Sequence, residues 1–465
     1  MKISKFMIFA IVLLCVTGTQ AQNTNEKILT LDEYIQQATK NDTEFEAILI
    51  DEMPLQYRKD LNLPARDIVL EIAGEYDYFL SQGRDEPEES VSLSKLFPLS
   101  GTELTAEYST SPSFSRPTNS SDFTLTVSQP IAENAFGKAT RLQDKIIGVE
   151  IDVIKHQVVE AYEDYLAAII TAYFNWYEAY ENLKIGESSY QANLKLMENI
   201  KDRQKSSIAL PIDVNKINLQ VLAKKETLIN LREKYQNALN FIEQSLRYQG
   251  EEVLTPQSTG QYTEANIVFE KDFKDFKDHS RTYRILNLLE EKSLFEVEKN
   301  ANELLPSIDL ILGYNVDGSN FEITNEDNMA FAGISMEWPI LDQVKRAEHE
   351  ISKITLDQQK LATTNTHYKL YTEMKDLFQT MNREEQLGKV AEEKIGLAQS
   401  VLDDETENYS FGKVTINDYI QAVNVLDSNR FNQVLHNAQY QKLAVEWLRI
   451  TDRLISRKDI KTHNR

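Results

Sequence analysis

Two hydrophobic periods alternate along this chain, and the alternation happens twice. Phe123–Val127 switches strictly between apolar and polar positions, as a half-buried strand does. Ser307–Tyr314 puts Ile308, Leu310, Leu312 and Tyr314 on one face, and Met329–Trp338 puts Ala330, Ala332, Ile334, Met336 and Trp338 on one face. Upstream, Ile68–Ile72 is β-prone, and Val91–Leu96 and Glu103–Tyr108 flank the turn signal Pro98-Leu99-Ser100-Gly101. Each strand group ends at a proline, Gln129-Pro130-Ile131 and Trp338-Pro339-Ile340, and a helical period follows.

No proline stands between 130 and 211 or after 339, and a proline inside a helix costs about 3 kcal/mol. Helices are therefore predicted over 137–205 and 343–408, the first on the order of 100 Å long at about 1.5 Å per residue. Gly186 is where the first could break. Pro211 opens a returning helix, 212–247, at a position that tolerates proline. The segment FGKVT turns the second helix, and 415–455 runs back with Ile416, Tyr419, Val423 and Leu426 spaced as a coiled-coil seam that is interrupted near Asp427. Shorter helices are predicted over Leu29–Asp51, with Thr30 as its cap, and over Asp275–Glu303.

The two halves are copies of one design. Laid on Tyr409–Leu426, the stretch Ser206–Leu222 puts Asp213 on Asp418, Val214 on Tyr419 and Val221 on Leu426. The expected organisation is a signal at 1–21, a first repeat at 22–250 with strands at about 65–131 and a helical hairpin at 137–248, and a linker at 251–272. A second repeat follows at 273–456, with strands at about 306–339 and a hairpin at 342–455, then a polar tail at 457–465. The fold class is mainly α with β.

Composition adds a compartment. Lys2 and Lys5, the apolar run Phe6–Thr17 and the small-residue site Thr19-Gln20-Ala21 read as a secretory signal. The single cysteine, Cys15, lies inside it, so the mature chain excludes disulfides and thiolate chemistry. A formal charge of −23 makes nucleic acid a poor partner. It fits a solubilising surface or an acidic lumen equally.

No catalytic constellation is present. The six histidines lack metal-ligand spacing, Gly313, Gly318 and Gly333 belong to a strand hairpin rather than a phosphate loop, and the acids are too many for any pair to be informative. No cofactor, metal or enzymatic activity is expected.

Strands of about ten residues are long enough to cross a bilayer in a tilted barrel. A secreted chain with few of them cannot close a barrel alone, and open edges are not tolerated in lipid. Several identical chains can close it, and the long polar helices can continue the cylinder into water.

With the motifs LTLDEYIQQATKND (29–42), VSQPI (127–131), LLPSIDLILGYN (304–315), MEWPILD (336–342) and YSFGKVTINDYIQAVNVL (409–426), the chain resembles the TolC-like outer membrane efflux proteins. The similarity covers roughly 28 to 455, and its specificity lies in the order and doubling of the motifs. It implies a homotrimer in the cell outer membrane, embedded in its lipid by a 12-stranded barrel with four strands per chain. A helical coiled-coil tunnel in the periplasm would close at its far end. The implied role is the exit duct of a tripartite efflux or type I secretion system, coupled to an inner-membrane transporter through a periplasmic adaptor.

The resemblance also implies site residues. Asp418 matches the first of two acids that guard the tunnel end in the best-known member, and Gln421 stands at the second. Tyr409 and Asp213 match residues of the closing contacts, while the basic residue of that network falls on Val414 here. The turns Ser207, Ile208, Ala209, Leu210, Pro211 and Gly412, Lys413, Val414, Thr415 are the expected adaptor-docking tips, with Ser207 where a glycine is usual. The competing reading is a periplasmic coiled-coil adaptor or scaffold, which would show one long hairpin between β-rich halves.

Overall fold

Residues 26–64, 67–81, 84–112, 120–257, 267–324, 327–340 and 342–455 are described in the computed structural model. The expected signal, the polar tail and residues 113–119 of the expected 109–122 loop lie outside them, while 109–111 and 120–122 are strand. Strand β1 (Glu26–Leu29) leads into α1 (Leu31–Asn41), where Thr30 accepts from Glu33 N while Glu33 accepts from Thr30 N, a complete capping box. The helix predicted to Asp51 breaks at Asp42, whose carboxylate caps α2 (Thr43–Ile50) at Glu44 N. A 3-10 turn, Met53–Tyr57, and α3 (Arg58–Asn62) follow.

The chain then forms β2 (Ile68–Phe79), β3 (Arg84–Phe97), β4 (Thr102–Ser111) and β5 (Ser120–Pro130) before entering the 68-residue helix α4 (Lys138–Lys205). Gly186 does not break α4. It is buried against α5 (Pro211–Leu246), where an added Cβ would stand 2.5 Å from Leu231 Cδ1, so close helix packing accounts for the glycine.

The linker holds β6 (Val253–Pro256), which pairs in parallel with β1, a pairing too short to announce itself in the sequence. The helix predicted over 275–303 is two: α6 (Phe269–His279) and α7 (Arg281–Asn302), divided where Ser280 caps the second at Tyr283 N. Next come β7 (Ser307–Ser319), β8 (Asn328–Glu337), α8 (Gln343–Ser410), also 68 residues, and α9 (Ile416–Ile450).

Six strands form one antiparallel sheet in the order β2-β3-β4-β5-β7-β8. The sheet thus has two strands more than the four per chain that the resemblance implied for the barrel. The addition is the β2–β3 hairpin, paired from Ile68↔Lys95 to Phe79↔Arg84. It re-enters the sheet through the Pro98–Gly101 turn, where Gly101 has φ +71° and its N–H bonds Phe97 O at 2.8 Å.

The main core sits around the middle of the long helices. Tyr173, Phe174 and Trp176 of α4 are fully buried with Tyr34 of α1, Ile242 of α5 and Leu254 of β6. A second cluster packs Phe269, Phe273 and Phe276 of α6 on Met374 and Met381 of α8 and Trp447 of α9. No described helix is long and apolar enough to cross a membrane.

Candidate functional site

The two helical tips are built alike. In the first, Ser206 N bonds Asp202 O, Ser207 N bonds Gln204 O and Ile208 N bonds Arg203 O at 3.1, 2.9 and 2.8 Å. In the second, Phe411 N bonds Glu407 O, Gly412 N bonds Tyr409 O and Lys413 N bonds Asn408 O at 3.2, 3.1 and 3.0 Å. These bonds satisfy the last carbonyls of each 68-residue helix and need one left-handed residue. That residue is Ser207 (φ +61°) in one turn and Gly412 (φ +69°) in the other.

The returning helices start on the two expected acids. Asp418 Oδ2 accepts from Thr415 N at 2.9 Å and Thr415 Oγ1 at 2.7 Å, and Thr415 Oγ1 accepts from Asp418 N. These hydrogen bonds from Thr415 hold the Asp418 carboxyl below the usual carboxylate range. Asp213 Oδ2 accepts from Leu210 N at 3.1 Å, only half of such a box because leucine offers no side-chain acceptor. Both acids also complement the helix dipole.

The four expected aperture residues fall into two pairs. Tyr409 and Asp213 lie where the first hairpin meets the second. Asp418 and Gln421 line an open groove of about 620 Å³ between α8 and α9, with Lys394, Leu397, Val401 and Glu405. At the Tyr409 contact the structure supplies a cation that sequence reading missed. The Arg203 guanidinium lies 4.9 Å from the centre of the Tyr409 ring. Burial, partly offset by Arg203 and reinforced by Asp213, raises the Tyr409 hydroxyl above its ordinary pKa. This cation comes from the end of α4, not from the turn that holds Val414. Its sequence signal was a lone arginine in a charged helix end, indistinguishable from a solvated one.

Deeper along the hairpins, Ile200, Ile217, Val221 and Ile416 are buried together, with Tyr409 and Ile420 against them. Gln220 Nε2 donates to Asn424 Oδ1 at 2.7 Å. One step further, buried Asp427 accepts from Lys224 Nζ at 2.6 Å and from Ser189 Oγ, joining α4, α5 and α9. The interruption of the seam at Asp427 was the visible sign of this polar tie.

The sheet is a two-faced wall. Register places Ile72, Val91, Tyr108, Phe123 and Val316 in one row across five strands, and Leu70, Leu93, Ala106, Leu125, Tyr314 and Ala330 in the next across all six. The two faces expected of β7 and β8 meet in one row: Ile308↔Met336, Leu310↔Ile334, Leu312↔Ala332 and Tyr314↔Ala330. This face is open: Ile72 is 73% and Ile334 70% exposed, and Tyr314 and Trp338 are exposed rather than core. The opposite face carries Glu71, Glu75, Asp77, Glu88, Glu107, Asp122, Asn315 and Asp317. Among its described side chains there is no lysine or arginine. No cluster of His, Cys, Asp or Glu able to hold a metal ion occurs among the described residues.

No family model and no curated protein matches the sequence. Solved structures do match in fold. CusC, described in terms of folding and transmembrane channel formation, aligns with a TM-score of 0.72 at 13% identity, over 90% of this chain and 91% of that one. VceC, an outer membrane protein of Vibrio cholerae, gives 0.68 at 12% identity over 90% and 95%, and the CmeC outer membrane channel of Campylobacter jejuni 0.69 at 12% over 93% and 88%. The chain has the outer-membrane channel fold. The resemblance to TolC-like proteins holds at that level. At such identity, the roles of residues within the channel fold rest on the chain's own geometry.

Proposed function

We propose that three copies of this chain form the outer-membrane exit duct of an efflux or type I secretion pathway. The observation that carries the reading is the two-faced sheet leading directly into α4 and α8. A large exposed apolar face in a chain expected to be secreted needs a cover, and lipid against a barrel of this pitch provides it. The acidic face then lines the lumen, and the long helices continue the wall into the periplasm, with the two tips farthest from the membrane. On this reading the duct is passive and is served by an inner-membrane transporter through a periplasmic adaptor that docks on the Ser207–Pro211 and Gly412–Thr415 turns.

The acidic face favours cationic passage: facing carboxylates raise the local cation concentration. The adaptor reading fits less well, because the chain carries two long hairpins and a membrane-sized sheet. Membrane fractionation with native mass measurement tests the proposal. A homotrimer extracted from the outer membrane, whose deletion abolishes export, is expected. A soluble monomer in the periplasm would overturn it.

A further inference from the structure

We propose that the β2–β3 hairpin belongs to the barrel wall, so that the seam between neighbouring copies is β8 of one against β2 of the next. Three copies then supply eighteen strands, six from each. The inference rests on the reading of the chain as a trimeric channel and assigns the partner of each sheet edge as a second copy of this chain.

Three observations carry it. The first is direction. The sheet is antiparallel throughout its six strands, so β2 and β8 at its ends run opposite ways. A β8 edge meets the β2 edge of a rotated copy antiparallel, the geometry that continues the ladder. Such a contact is head-to-tail, and it closes when the rotation closes.

The second is facing. The exposed residues Ile68, Leu70 and Ile72 on β2 share the face of Ile334 and Met336 on β8. Pairing the edges in this sense makes one unbroken apolar belt. With 12 residues in β2 and 10 in β8, the edges also match in length.

The third is anchorage. The β3–β4 turn is fastened to the junction of β5 and α4. Gln129 Nε2 donates to Ser100 O at 2.9 Å, Thr102 Oγ1 donates to Gln129 Oε1 at 2.6 Å, and Arg141 Nη1 donates to Leu99 O at 2.8 Å. A Cβ at Gly137 would stand 2.4 Å from Leu99 O, so the turn and the helix start touch backbone to backbone. A loose hairpin lying outside the wall would need none of this. Barrel diameter grows with strand number, so the pore would be about one and a half times as wide as with twelve strands.

The test uses the full chain, whose one native cysteine is Cys15. Cysteines are placed on β2 (Ile68→Cys, Leu70→Cys or Ile72→Cys), each combined with Ala330→Cys, Ala332→Cys or Ile334→Cys on β8. The nine pairs span the register offsets. Ala106→Cys on β4 with the same β8 positions is the comparison. Outer membranes are oxidised and run without reductant. A ladder up to the covalent trimer from at least one β2–β8 pair, and none from β4–β8, is expected. Crosslinking through β4 would put the hairpin outside the wall and overturn the inference, as would no ladder from any pair in chains that purify as outer-membrane trimers. Absence of any outer-membrane oligomer would instead sink the channel reading itself.

Discussion

Ser207 and Gly412 occupy one position in two copies of the same turn, and both are left-handed, at φ +61° and +69°. The serine pays with backbone strain for what glycine does freely, about 1–2 kcal/mol for an L residue in this region. Ser207→Gly should therefore tighten the first tip by about 1 kcal/mol, and Gly412→Ala should loosen the second by a similar amount. Space is not the issue at Gly412, because an added Cβ meets nothing within 4 Å. Hydrogen exchange at the Ile208 and Lys413 amides reports each tip separately. Unchanged protection in both variants would mean the turns are held by something other than their own left-handed residue.

Arg203 over Tyr409 is the contact that ties α4 to α8 at the expected closure. A cation over a half-buried aromatic ring contributes about 0.5–2 kcal/mol. Arg203→Gln should raise the open fraction of the purified channel, seen as larger conductance in planar bilayers. Tyr409→Phe keeps the ring face and should change conductance much less. If Tyr409→Phe opens the channel as far as Arg203→Gln, the hydroxyl rather than the cation–ring contact holds it shut.

The buried acids near the end of α9 predict a pH effect of defined sign. Glu163 and Asp452 surround Arg281, with Glu160 and His156 close by. Burial outweighs the arginine and raises the carboxyls of Glu163 and Asp452 above their ordinary range. The folded chain then holds more protons than the unfolded one, so this contribution is full below the ordinary carboxylate pKa and is lost as pH rises through the raised values. Glu163→Gln should flatten that part of the profile. The wild type should lose more stability than the variant as pH rises above the ordinary carboxylate range, in thermal unfolding of the detergent-solubilised protein. Parallel profiles would show that Glu163 does not titrate in this window.

Periodicity revealed the long helices because nothing interrupts them: a proline precedes each, and two 68-residue helices emerged where two proline gaps lay. The facing of β7 and β8 was legible because alternation is a local property. The six-strand count was only half legible, because whether the strands at 65–80 and 91–108 join the wall or form a loop is decided by strand pairing, which a local pattern does not record. Yet Ile68–Ile72, Val91–Leu96 and the Pro98–Gly101 turn were visible as strand and turn signals. Arg203, Lys224 and Ser189 were illegible for another reason. Their partners lie on other helices, 206, 203 and 238 positions away in the cases of Tyr409, Asp427 and Asp427. A single helix face does not record which of its charges will be covered.

Asp418 has two possible employments, and one is plainly visible. Its carboxylate is committed to Thr415 N and Oγ1 as the cap of α9. It is nevertheless exposed and borders the α8–α9 groove beside Gln421. In a trimer, one such acid per chain becomes a ring of three, whose field reaches across a narrow lumen and fades as salt shortens the screening length from about 10 Å at 0.1 M. Asp418→Asn can still accept from Thr415 through its amide oxygen, so the helix start should survive the lost dipole interaction. The ring charge should vanish. Cation preference under a salt gradient should fall, and the fall should be larger at low salt. Gln421→Glu should move selectivity the opposite way, by doubling the acids on that groove. An unchanged reversal potential in both variants, with the trimer intact, would confine Asp418 to its capping role and place the constriction at the Arg203–Tyr409 contact.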